Sequence, residues 1–397
     1  MKFSVLLPTR NRLEYLRYAI ETVRRQDYSE WEIIVSDNFS EDDIGGYVRS
    51  LADARIRYLR TASAVPVTEN WNNALRHSTG DYVVMLGDDD GLLPGYFSKL
   101  ARTFDIFPNP DYVYVGAYFF AYPGAIPDSP NGFLRRDRNR IFTEDRPFWL
   151  DNERALKVGL EYLDFRMPVA SNMQFSLISR RKIDELTSDG AFFRSPFPDF
   201  YATPLLFLRS HKILVFPQPM VVIGITPKSY GAFHFSNRAA EGVQMLHNQS
   251  SVGGDGSLQS VMLPGTSYND SWLLAMQALS TQLRSVRDMK PNYRRYRFLQ
   301  ILHGFKRCYF DASVSAQELA PLRRKMTVGE QLIYGYPMTL GFRVLRLVPS
   351  RSQARIIAAL RRLIGQHAIQ REAGAGTPEF QSLLEVFESF DSVPALA

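Results

Sequence analysis

The sequence predicts an α/β protein, a mostly parallel sheet with helices on both sides, followed by a helical C-terminal region. Three observations carry this. Short apolar runs alternate with helix-period segments over the first 110 or so residues, the order that builds parallel βαβ units. The best-formed of these runs end in polar turns. After about Trp272 the pattern turns helical and the charge turns basic.

Phe3–Leu7 is an apolar run closed by Pro8 and reads as a buried strand. Asn11 is expected to cap the next helix, which carries Leu13, Leu16, Ile20 and Val23 at helical spacing. Glu32–Ser36 is a second buried strand ending in Asp37-Asn38, and Arg55–Leu59 a weaker third. Asn70–His77 reads as a helix that stops at Gly80. Tyr82–Leu86 is a fourth strand, ending in Gly87-Asp88-Asp89-Asp90. The helix after Pro94 places Phe97, Leu100, Phe104 and Phe107 on one face. Tyr112–Ala121 and Gln174–Ser179 read as strands, and Ile213–Phe216 and Met220–Ile225 as a pair separated by Pro217-Gln218-Pro219. Residues 250–257 are Gly/Ser-rich and read as a flexible connection. Further on, Ile356, Ile357, Leu360, Leu363 and Ile364 share a helix face, with Arg351, Arg355 and Arg362 off it. The expected divisions are 1–235 for the sheet domain, 236–270 for the linker and 271–397 for the basic helical region.

Composition excludes several classes. Hydrophobic residues make up 45% and charged residues 22%, which argues against bulk disorder and coiled coil. A single cysteine, Cys308, rules out an intrachain disulfide and a Cys-based zinc site. The histidines lack the HExxH spacing of a zinc protease. The longest charge-free apolar run, 112–127, is broken by Gly and Pro and falls short of a membrane span. The N-terminus reads as a first strand, not a signal peptide. A cytoplasmic-side protein is the expectation. No GxGxxG follows the first strand, no GxxxxGK[ST] occurs and there is no GxSxG elbow.

Ligands of open α/β sheets bind beyond the carboxyl ends of the strands. Three strand ends on one expected edge carry polar sequence: PTRNR, SDN and GDDD. Three consecutive carboxylates after a buried strand repel one another, and a divalent cation relieves that repulsion. Mg2+ and Mn2+ favour one or two carboxylates together with substrate phosphates. The loop lacks the ligand spacing and glycine of an EF-hand. Asp37 can accept the N–H of a nucleobase, or serve as a turn former with Asn38, Ser40 and Asp42. Arg10 and Arg12 can pair with phosphate or with nearby acids. Pro8 fixes the backbone where a base would lie.

The runs VLLPTRNRLEYL, WEIIVSDNFSEDD and ENWNNALRHSTGDYVVMLGDDDGLLP resemble the N-terminal half of family 2 glycosyltransferases, strongly over 1–100 and more weakly to about 235. The resemblance implies a GT-A fold and an inverting transfer from a nucleotide-diphosphate sugar, UDP-type favoured, to a hydroxyl of a glycan or lipid-linked acceptor. It implies Mn2+ or Mg2+ as cofactor. Pro8, Thr9, Arg10 and Asn11 would line the nucleotide pocket and Asp37 would hold the base, with Asn73 and Arg76 approaching from a helix. Asp88 and Asp90 bracket the family's DxD, with Asp89 inside it. Asp90 is the first choice for direct metal contact, Asp88 the second.

Inversion by single displacement needs a carboxylate to take the acceptor's proton. The family places this base before a helix and a strand pair, and Asp199 fits that layout, although Pro198 replaces the usual Glu. Asp189 and Glu185 are the fallbacks. Many relatives carry a metal-ligating His after the strand pair. Thr226 stands in that position here, and His234, eight residues on, is the expected substitute as metal ligand.

Residues 271–397 carry 18 Lys/Arg against 9 Asp/Glu, a net +9, and 1–270 carry a net −3. The excess lies in 284–362, interleaved with apolar and aromatic residues, a composition that suits peripheral contact with the inner face of an anionic membrane. A plain helical domain is the alternative. Nothing in it resembles a nucleic-acid-binding module, and no nucleic-acid partner is expected. For function the competing class is a catalytically silent module of the same fold that binds nucleotide, sugar or membrane. A sugar-nucleotide pyrophosphorylase would need a Gly-rich loop where PTRNR stands.

Overall fold

Phe3–Thr9 forms β1, buried along nearly its whole length, and α1 follows at Leu13–Arg24. β2 is Trp31–Asp37, α2 is Ile44–Ser50, β3 is Ile56–Arg60 and α3 is Val67–Arg76. β4 is Tyr82–Met85, β5 is Gly91–Leu92 and α4 is Tyr96–Ile106. Then come β6 (Tyr112–Ala121), β7 (Phe133–Arg136), β8 (Phe148–Leu150), α5 (Asn152–Leu163), β9 (Ser176–Ser179), α6 (Arg180–Leu186), α7 (Pro198–Arg209) and β10 (Ile213–Ile225). The computed structural model describes residues 1–126, 129–229, 258–284, 288–310, 316–349, 352–353, 355–356 and 380–391.

The strands form one sheet in the order β3-β2-β1-β4-β9-β6-β10-β5, with β7 on β6 and β8 on β10. β1 to β4 are mutually parallel, as the alternation predicts. β9 runs antiparallel to both β4 and β6, so the sheet as a whole is mixed. The first strands read as unbroken apolar runs because they are covered on both faces. One buried carboxylate interrupts β2. Glu32 accepts from Ser4 Oγ (2.7 Å), Lys2 Nζ (2.9 Å) and the Thr79 N–H (2.5 Å). Burial alone would raise its pKa, but these donors outweigh it and bring it down to about 2.

Two local expectations are corrected. Asn11 does not cap α1. It sits in the left-handed region at φ 53°, and its side chain accepts from the Glu41 N–H (2.7 Å). The first turn of α1 is capped from outside, the Leu13 N–H donating to Asp42 Oδ2 at 3.0 Å. Ile213–Phe216 and Met220–Ile225 are not two strands. Both halves pair in parallel with β6, with register shifts at Pro219. The prolines at 217 and 219 have no N–H to give the ladder, so the strand bulges instead of turning. Opposite the bulge, a Cβ at Gly116 would lie 2.6 Å from the Pro217 carbonyl oxygen, so only glycine fits there.

The chain divides into a sheet unit, residues 1–159, 169–248 and 374–397, and a helical unit, residues 160–168 and 249–373. The helical unit contains α8 (Ser267–Leu283), α9 (Tyr293–Phe310), α10 (Leu319–Lys325) and α11 (Tyr336–Arg346). Leu263, Ile301, Phe305, Leu319, Leu322, Met326, Phe342 and Leu345 make one of its cores. Gln300 is fully buried and ties the turn before α8 to α9, its Oε1 accepting from the Thr266 N–H (3.0 Å) and Asn269 Nδ2 (3.1 Å). α12 (Leu383–Asp391) belongs to the sheet unit, where Leu383 and Val386 are buried with Leu93, Phe120 and Tyr122. The Gly/Ser-rich stretch 250–257 and all of the apolar helix face expected at 356–364 except Ile356 lie outside the described residues.

Candidate active site

β1, β2 and β4 end on the same edge of the sheet. Thr9 lies beside Asp37 in register, and the Asn38 N–H donates to the Thr9 carbonyl (2.9 Å). From the other side Thr9 Oγ1 donates to Asp88 Oδ2 (2.8 Å). The three polar strand ends therefore meet, with Thr9 as the link.

Asp37 is fully buried. Its Oδ1 accepts from the Ser40 N–H (2.9 Å) and its Oδ2 from Tyr58 OH (2.7 Å), with Arg60 Nη1 at 3.4 Å. Arg60 also lies over the ring of Phe39, 5.1 Å from its centroid, and Phe39 itself is exposed at φ 58°. Tyr58 and Arg60 escape a reading of strand ends alone, yet their spacing of two on β3 is the signal that puts both on one face of the sheet. Pro8 lies opposite Ser36 in the β1–β2 register. Beneath this edge α3 is fastened to β2: Asn73 Nδ2 donates to Ser36 Oγ (2.9 Å), which donates to Asn70 Oδ1 (2.7 Å). Asn73 thus supports the site from below. Arg76 is exposed in the last turn of α3 and makes no hydrogen bond or ion pair to these groups among the described residues. Arg10 contributes its backbone N–H to Asp88.

All three carboxylates of the triplet are buried. Arg12 bridges two of them, Nη1 to Asp88 Oδ1 at 2.8 Å and Nη2 to Asp89 Oδ2 at 2.6 Å. Asp89 Oδ2 also accepts from Ser229 Oγ (2.6 Å), and Thr226 Oγ1 lies 3.4 Å from it and 2.6 Å from Arg12 Nη2. Asp90 turns the other way. Its Oδ1 accepts from the Gly224 N–H (2.8 Å), its Oδ2 from the Gly87 N–H (3.0 Å) and from Gln174 Nε2. Both oxygens of Asp88 and both of Asp90 are therefore occupied by protein donors. Asp89 Oδ1 is the one oxygen of the triplet with no hydrogen bond among the described residues. Burial pushes Asp88 up to about 6; Arg12 opposes that shift and Asp89 adds to it. Burial and the neighbouring Asp89 also hold Asp90 well above the usual carboxylate range. For Arg12, burial works against the charge, but the three carboxylates outweigh it and raise its pKa. One guanidinium against three carboxylates leaves an excess of buried negative charge, and the oxygen donors suit a hard divalent cation.

Asp199 stands in the first turn of α7. Burial pushes it up to about 6, against the pull of the Phe200 N–H, which donates to its Oδ1 at 3.0 Å. No cation pairs with it among the described residues. The fallbacks differ: Asp189 pairs with Arg194 (2.8 Å), and Glu185 with Lys182 (2.6 Å). Asp199 is tied to the sheet edge from two sides. The loop before it is held on α3 by Thr68 Oγ1 to the Ser195 carbonyl (2.6 Å) and by Asn72, which donates to the Phe193 carbonyl (2.8 Å) and accepts from its N–H (3.0 Å). One turn on, Thr203 Oγ1 donates to the Ser171 carbonyl (2.9 Å), at the head of the turn that delivers Gln174 to Asp90. His234 lies outside the described residues.

Open α/β sheets take their ligands beyond the carboxyl ends of the strands, which is where this buried acidic cluster lies. The family model for glycosyl transferase family 2 matches residues 4–158. The match covers the strands that carry the acidic triplet and Asp37, and leaves residues 159–397 outside it. The chain is 42% identical over 104 residues to the GalNAc(5)-diNAcBac-PP-undecaprenol beta-1,3-glucosyltransferase of Campylobacter jejuni, covering 25% of this chain and 34% of that protein. It is 30% identical over 87 residues to the UDP-Glc:alpha-D-GlcNAc-diphosphoundecaprenol beta-1,3-glucosyltransferase WfgD of Escherichia coli, covering 22% and 34%. The alignments thus span about a third of the length of these relatives. Among solved structures, Staphylococcus aureus TarS 1–349 in complex with UDP-GlcNAc aligns over 96% of this chain and 99% of that one, at 16% identity and a TM-score of 0.47.

Proposed function

We propose that the chain transfers a sugar, a hexose by the names of its relatives, from a UDP-type nucleotide sugar to a hydroxyl of a lipid-linked or glycan acceptor, with inversion. The observation that carries this is the junction of Asp37, Thr9 and the acidic triplet on one sheet edge, within a family 2 domain. In this reading Asp37, positioned by Tyr58 and Ser40, receives the base, and the ends of β1 and β4 face the diphosphate. The names of both relatives specify diphosphoundecaprenol-type acceptors, which favours a lipid-linked acceptor here. Contact of the basic stretch 284–362 with an anionic membrane would suit such an acceptor.

Asp199 is the proposed base. A carboxyl titrating near 6 is ionised at neutral pH and basic enough to take a hydroxyl proton as the bond to the anomeric carbon forms and the nucleoside diphosphate leaves. Mn2+ or Mg2+ would be held at Asp89, because Oδ1 of that residue is left open while Asp88 and Asp90 are engaged; bound there, it would offset charge on the diphosphate. Asp90 then serves as a strut between β4, β10 and Gln174 rather than as the first metal contact.

The test is incubation with UDP-glucose and other UDP-sugars, Mn2+ and a synthetic polyprenyl-diphosphate sugar, reading UDP release and the anomer of the product by NMR. A β-linked product from an α-linked donor supports the reading. UDP binding without turnover on any lipid or glycan acceptor would favour the silent module, whose supporting observation is Thr226 at the usual His position.

A further inference from the structure

Val328–Arg346 is one helical stretch, made of Val328–Glu330, a π turn at Gln331–Gly335 and α11. A capping box starts it, Thr327 Oγ1 accepting from the Glu330 N–H at 3.2 Å and Glu330 accepting from the Thr327 N–H at 2.8 Å. Its inner face is used: Phe342 and Leu345 are buried in the helical unit's core, with Tyr334 and Met338 against it. Its outer face is apolar too. Leu332, Ile333, Tyr336, Leu340, Val344 and Leu347 are 54–86% exposed. Elsewhere among the described residues, exposed large apolar side chains occur singly, as at Phe39 and Ile106, which needs no explanation. Six within sixteen positions do. At about 100° per residue, Tyr336, Leu340, Val344 and Leu347 fall within roughly 80° of one another, opposite Met338, Phe342 and Leu345. The helix therefore has two apolar faces, and among the described residues only one has a partner.

The charge around the outer face indicates what covers it. Arg323, Arg324, Lys325, Arg343 and Arg346 are exposed along or beside the stretch. None pairs with a carboxylate among the described residues. The single acid in 319–349, Glu330, has both oxygens on Arg297, at 2.6 and 2.7 Å. We propose that this outer face is a docking surface for an anionic phospholipid bilayer, the apolar row entering the headgroup–acyl boundary and the five cations meeting lipid phosphates. A second copy of the same face would set like charges against each other, which disfavours self-association. An apolar row flanked by cations is what a helix lying in a membrane interface presents. The inference narrows the membrane contact read for 284–362 to one face, and it holds whether or not the chain transfers sugar.

The test is co-sedimentation of the full chain with vesicles of phosphatidylcholine alone and of phosphatidylcholine mixed equally with phosphatidylglycerol, with no nucleotide or acceptor present. The expected result is binding to the anionic vesicles, weakened by salt, with little binding to the neutral ones. Leu332→Glu, Leu340→Glu and Leu347→Glu together should weaken it by about tenfold or more, with thermal unfolding and UDP binding unchanged. Arg343→Glu with Arg346→Glu, which spares the apolar row, should also weaken it; this pair serves if the triple variant folds poorly. Sedimentation indifferent to both sets, or none with anionic vesicles at low salt, overturns the proposal. So does self-association removed by the triple variant in a chain that ignores vesicles.

Discussion

Arg12 holds two of the three carboxylates of the triplet. Replacing it with Met leaves Asp88 and Asp89 buried without their cation, so Arg12→Met should cost about 3–5 kcal/mol in denaturant unfolding. A loss under about 1 kcal/mol would mean that the pair carries little of the loop's stability. Asp199 behaves oppositely. Its pKa is raised by burial, so its charged form is disfavoured in the fold at neutral pH. Asp199→Asn should therefore raise the melting temperature while lowering transfer by roughly 100-fold or more, with UDP binding intact. For the native chain the rate should climb as pH rises through about 6, where the base loses its proton. Of these residues, Thr9, Asp37 and the triplet were legible because they stand at strand ends in the sequence, and Asp199 through the family resemblance. Gln174 and Gly224 were not: each reaches the site across the sheet, and a contact 84 or 134 residues away leaves no local trace.

At the scale of elements, β2 carries a buried acid near its start, Glu32. The Glu32 pKa lies at about 2, below its ordinary value, so its contribution is fully present above about pH 4.5 and is lost as pH falls toward 2. Glu32→Gln should cost about 2–3 kcal/mol at pH 7 and progressively less below pH 4.5, read from urea midpoints across pH. A constant difference across that range would contradict the assignment. α12 makes a second test. Leu383 is buried against Thr22 and Gly91, the glycine that follows the triplet. Leu383→Ala should cost about 2–5 kcal/mol. The parallel β1–β4 core was legible because periodicity and turn residues agree there. The bulged β10 was not, because two prolines between apolar runs read equally as a turn. The return of α12 to the sheet was not legible either, because packing partners nearly 300 residues away in sequence leave no mark on a helix of nine residues.

For the whole molecule, residues 4–158 match the glycosyl transferase family 2 model, and the helical unit carries a helix face of exposed apolar residues and cations. The central claim is that the sheet edge from Asp37 to Asp89 takes a nucleoside diphosphate with a divalent cation. Thermal unfolding with UDP, GDP, CDP and dTDP, each with and without Mn2+, tests it most directly. At 100 times its dissociation constant a ligand stabilises by about 2.7 kcal/mol, a readable shift. The account predicts a Mn2+-dependent shift with UDP that Asp89→Ala abolishes, with Asp89 rather than Asp90 as the metal contact. A well-folded chain that shifts with no nucleotide, or whose Mn2+-dependent shift survives Asp89→Ala, would contradict it.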